Sequence, residues 1–73
     1  MKGDEDMAFT LRALRTNKNM NLKQGAKALG VSVDTLHNWE HGKTYPNVPQ
    51  IKKIEEVYGV EYGDIIFCPR NSV

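Results

Sequence analysis

The chain has 73 residues, a formal net charge of +1, 26% charged and 40% hydrophobic residues, and a single cysteine. This length allows one small domain with one core, near the lower limit for folding without disulfides or metal, and argues against a catalytic cleft. A lone Cys68 excludes an internal disulfide and a cysteine-rich zinc site, the longest apolar run (Ile65, Ile66, Phe67, Cys68) is far too short to span a membrane, and the opening MKGDEDM lacks the apolar stretch of a signal peptide. A soluble cytoplasmic protein in a reducing compartment is expected.

Residues 1–6, with three successive acids at Asp4, Glu5 and Asp6, read as a flexible acidic extension, and Met7 is a candidate natural start. A first helix is predicted from about Met7 to Asn17, with Met7, Leu11 and Leu14 on one stripe and Arg12 and Arg15 beside it. Asn17, Lys18 and Asn19 break it, and Met20 returns the chain to the core. Asn21 with Gln24 three residues on has the form of a capping box, so a second helix should begin at Leu22, bury Ala26 and Leu29, and end at Gly30. Val31 is a small apolar plug. Ser32 is a good N-cap for a third helix, Val33 to about His41, with Leu36 and Trp39 inward and Val33, Asp34, His37 and Asn38 outward. Gly42 stops it. Pro46 forbids continuation, and Asn47 with Gln50 repeats the capping-box form before a fourth helix carrying Ile51, Ile54 and Tyr58. After Gly59 a short fifth helix, about Glu61 to Phe67, is expected to bring Ile65 inward, leaving residues 69–73 as a tail. The expected fold is therefore all-α: a compact bundle of five short helices over residues 7–68.

Charge is unevenly placed. Residues 7–33 carry Arg12, Arg15, Lys18, Lys23 and Lys27 with no acid, whereas residues 55–64 carry Glu55, Glu56, Glu61 and Asp64 with no base. Two helices joined by a tight glycine-containing turn, the second with an outward row of mostly short side chains, form a helix-turn-helix pattern. On Leu14-Arg15, Asn21, Ala26, Leu29-Gly30-Val31-Ser32, Leu36, Trp39-Glu40, Gly42-Lys43, Pro46, Gly59-Val60 and Ile65, the chain resembles the lambda-repressor-like (Cro and cI) helix-turn-helix family.

That resemblance implies sequence-specific binding of double-stranded operator DNA by a small transcriptional regulator of phage or mobile-element type, with the third helix in the major groove. Base contacts would come from Val33, Asp34 and Asn38, with His37 beside them. Asn38 has the donor and acceptor needed to read adenine, Asp34 is suited to a cytosine amino group or simply to reinforcing the helix start, and Val33 offers methyls to thymine. Phosphate contacts are expected from the second helix's N-terminus, Lys23, Ser32, Lys43 and Thr44. Arg15 and Glu40 match the positions of an ion pair joining the first and third helices. Two departures stand out: Leu22 where a phosphate-binding glutamine is common, and Gly25 where a core leucine is common, which suggests a thinner core or closer helix packing.

His37 and His41, one helical turn apart, lack a third metal ligand, and Cys68 lacks a catalytic partner. No catalytic residue, metal or cofactor is expected. The expected partners are DNA and a second copy of the chain, with Tyr62, Ile66 and Phe67 as candidates for a homodimer surface. Two rival readings are an antitoxin-like autoregulator gripping a protein partner through its acidic side, and an interaction module that has lost DNA binding.

Overall fold

The computed structural model describes residues 8–67. Their order is β1 (Phe9–Thr10), α1 (Leu11–Asn17), α2 (Leu22–Leu29), α3 (Val33–Glu40), α4 (Val48–Tyr58), a 3-10 turn (Tyr62–Asp64) and β2 (Ile65–Ile66). The acidic extension, the candidate start Met7, Cys68 and the tail lie outside the described residues.

Local chemistry explains where each helix starts and stops. The Asn21 side chain accepts from Gln24 N at 2.8 Å while Gln24 Oε1 accepts from Asn21 N at 2.8 Å. Asn47 and Gln50 repeat the arrangement at the head of α4, where Pro49 sits in the first turn and loses no helical bond. Gly30 and Gly59 end α2 and α4 in the left-handed region, at φ +76° and +69°. Asn19 takes the same conformation after α1 (φ +59°), which asparagine tolerates better than most residues.

Two expectations need correction. The first helix begins at Leu11 rather than further upstream, because Thr10 is extended and its hydroxyl accepts from Ala13 N at 3.1 Å, capping the helix there. The fifth helix does not form: Tyr62–Asp64 makes one 3-10 turn, and the β-branched pair Ile65–Ile66 extends as a strand. That strand pairs in parallel with β1, Phe9 opposite Ile65 and Thr10 opposite Ile66. The described fold is thus four α-helices with a two-stranded parallel sheet rather than five helices and no strand.

The core gathers Leu11 and Leu14 of α1, Ala26 and Leu29 of α2, Leu36 and Trp39 of α3, Ile54 and Tyr58 of α4, and Ile65 of β2. Leu36 and Ile54 are completely enclosed. No described helix is long and apolar enough to cross a membrane.

Candidate nucleic-acid interface

The turn between α2 and α3 is three residues long. Gly30 N–H donates to the carbonyls of Ala26 and Lys27, Val31 N donates to Ala26 O at 3.0 Å, and the half-buried Val31 plugs the turn onto the core. Ser32 then caps α3, accepting from Thr35 N at 3.0 Å and donating to Thr35 Oγ1 at 2.8 Å. With Leu36 and Trp39 buried, the helix presents Val33, Asp34 and His37 to solvent and leaves Asn38 half-buried at the edge of that face.

After α3 the chain folds back on the helix end: Lys43 N and Thr44 N both donate to Asn38 O, at 2.9 and 3.5 Å. Lys43 and Thr44 are thereby exposed beside the C-terminal end of α3, and Lys23 is exposed in the first turn of α2. Leu22, in contrast, packs its side chain partly against the core, so the α2 N-terminus offers backbone N–H groups and Lys23 but no side-chain amide at that position.

The orientation of α3 is fixed from behind. Arg15 Nε donates to Glu40 Oε2 at 2.7 Å and Nη2 donates to Oε1 at 3.1 Å, a bidentate pair, while Nη1 donates to Met20 O at 2.9 Å. The pair is almost sealed, with side-chain exposures of 11% and 3%. Hydrogen bonding to Glu40 pushes the Arg15 guanidinium further above its ordinary pKa despite the opposing effect of burial. One charged fork therefore joins α1, the α1–α2 turn and α3.

Gly25 makes room for that fork. A Cβ at this position would lie 2.8 Å from Arg15 Cδ and 3.1 Å from Leu36 Cδ2. The sequence marks Gly25 as a thin place in the core; what fills it is the aliphatic stem of Arg15, which a pattern of apolar residues cannot reveal. Nor does the sequence single out Tyr58 beyond its apolar spacing. Its ring is buried, its hydroxyl has no hydrogen-bond partner, and burial, reinforced by the Glu40 charge and opposed by Arg15, pushes its pKa up to about 12.

The rings of His37 and His41 stack at 4.1 Å, and His41 Nδ1 lies 2.9 Å from His37 O. Among the described residues no group of three or more His, Cys, Asp or Glu side chains is placed to hold a metal ion.

Comparison with known proteins agrees with this geometry. A helix-turn-helix family matches residues 11–65. The chain is 38% identical over 56 residues to the HTH-type transcriptional activator BcrR of Enterococcus faecalis, covering 77% of this chain and 28% of that protein. It is 32% identical over 56 residues to the HTH-type transcriptional regulator DdrOP3 of Deinococcus deserti, covering 77% of this chain and 43% of that one. The chain thus spans less than half the length of these curated relatives. No solved structure matches.

Proposed function

The chain belongs to the lambda-repressor-like helix-turn-helix family, and from that premise we propose that it binds double-stranded DNA sequence-specifically as a small Cro/cI-type transcriptional regulator, with α3 in the major groove. The observation that carries this reading is the two-sidedness of α3: Leu36, Trp39 and the Arg15–Glu40 fork hold one side, and Val33, Asp34, His37 and Asn38 are left on the other.

In this reading Asn38 pairs with an adenine edge, Val33 packs on a thymine methyl, and Asp34 accepts from a cytosine amino group. The free N–H groups of the α2 N-terminus, together with Lys23, Lys43 and Thr44, grip phosphates. Ser32 joins them by exchanging its bond to Thr35 Oγ1 for a phosphate oxygen, while it continues to accept from Thr35 N. Regulation follows from occupancy, since a protein seated on an operator excludes polymerase or contacts it without any chemical step; a cytoplasmic location accords with that role.

One short module makes few contacts, and a symmetric pair on half-sites about one helical turn apart supplies the missing affinity. The surface suited to a second copy is that around Tyr62, Ile66 and Phe67, where Tyr62 and Ile66 are 55% and 41% exposed and the Tyr62 and Phe67 rings lie 5.8 Å apart. The test is selection of bound sites from random duplex DNA. The wild type should enrich one palindromic or half-palindromic site, and Asn38→Ala should relax it at one position. Failure to enrich any sequence at low salt would refute the assignment, and a flat salt dependence would point instead to a protein-only interaction module.

A further inference from the structure

The outward stripe of α3 does not stop at Asn38. Val33, Asp34, His37 and His41 recur at helical spacing, so His41 extends the same face by one turn, and it is exposed. Its ring is held in a defined way: centroids 4.1 Å from His37, with Nδ1 2.9 Å from His37 O, which also accepts from His41 N at 3.1 Å. A carbonyl oxygen can only accept, so Nδ1 carries the hydrogen in that bond. In the neutral ring Nε2 is then a bare acceptor, unable to bond an anion. Adding a proton there turns Nε2 into a cationic donor while the Nδ1 bond stays intact.

We propose that His41 is a proton-linked phosphate contact, gripping a DNA backbone oxygen through Nε2–H only when its imidazole is charged, so that the protein binds DNA more tightly as pH falls. This rests on the DNA-binding reading above. The charged and titratable groups nearest it in the chain are His37, which stacks on it, Glu40 and Lys43. The Glu40 carboxylate is turned inward onto Arg15. A phosphate oxygen supplies the charged partner for Nε2–H.

The experiment measures affinity for mixed-sequence duplex DNA at constant ionic strength, at about pH 5.5 and about pH 8, on either side of the ordinary imidazole range. The wild type should bind about tenfold tighter at the lower pH. His41→Gln should bind with little pH dependence, His37→Gln should keep most of it, and His41→Lys should bind at both pH values as the wild type does in acid. A wild type that binds in a salt-dependent manner but without pH dependence overturns the proposal, as does a dependence that disappears in His37→Gln and persists in His41→Gln. No salt-dependent binding by any of the four proteins at either pH would overturn the DNA-binding reading itself, a distinct outcome.

Discussion

Removing the Glu40 carboxylate should cost far more than removing both members of its ion pair. Glu40→Ala deletes two bonds, at 2.7 and 3.1 Å, and leaves the Arg15 guanidinium with one partner, Met20 O, in a site that is 11% exposed. Charge-assisted bonds contribute roughly 1.5–3 kcal/mol each, and an orphaned buried charge costs roughly 3–5 kcal/mol; the remaining exposure of Arg15 and its bond to Met20 put the expected loss at about 3 kcal/mol. A domain of this size has only roughly 4–9 kcal/mol in total, so the variant should sit close to its folding threshold. Arg15→Met combined with Glu40→Leu replaces the pair by apolar bulk and should fall within about 1 kcal/mol of the wild type. The assay is urea unfolding followed by the fluorescence of Trp39, the single tryptophan, which is 2% exposed. The single variant should lower the midpoint by roughly 2–3 M, given a slope near 1 kcal/mol per molar for a small domain. A loss below about 1 kcal/mol in Glu40→Ala, or a double variant as unstable as the two singles added together, would refute the reasoning.

Gly25→Ala should lower the thermal midpoint even though alanine is the better helix former: a gain of about 1 kcal/mol in propensity is outweighed by about 2 kcal/mol of crowding against the pinned Arg15 stem. Tyr58→Phe should be at least as stable as the wild type at neutral pH, by up to about 1 kcal/mol, because the hydroxyl it removes is buried without a partner. Above pH 10 the two should diverge. The unfolded tyrosine ionises near pH 10.0 and the folded one near 12, so the unfolded chain binds fewer protons in that window. Wild-type stability is therefore complete below pH 10 and falls by up to about 1.4 kcal/mol per unit towards pH 12, a slope that denaturant titrations of Tyr58→Phe should lack. Thr10→Ala should cost about 1 kcal/mol through the lost cap of α1, and Thr10→Ser should restore most of it in the same thermal melts.

The parts of this fold that are legible in the sequence are those governed by neighbours a few residues apart. Asn21 with Gln24, Ser32, Asn47 with Gln50, and the glycines at 30 and 59 each announce a helix end through a bond or a backbone angle that the local sequence fully specifies. The sheet is different in kind. Two residues at each end of the domain pair across more than fifty positions, and nothing in the acids before Phe9 or in the apolar run Ile65–Phe67 indicates that they meet. A shorter gap also hides the relation between Gly25 and Arg15: a missing side chain in one helix is readable, but the charged stem that occupies its space comes from another. At the proposed interface, the outward face of α3 follows from periodicity alone, whereas the tautomer of His41 depends on a main-chain oxygen one turn earlier and emerges only from coordinates.

The parallel sense of β1 and β2 has a mechanical consequence. The backbone enters β1 at Phe9 and leaves β2 after Ile66, at opposite ends of the pair, so tension applied through the two flanking segments slides one strand lengthwise past the other. Both rungs then bear the load together instead of peeling open in sequence, and the helices between them are shielded until the clasp gives way.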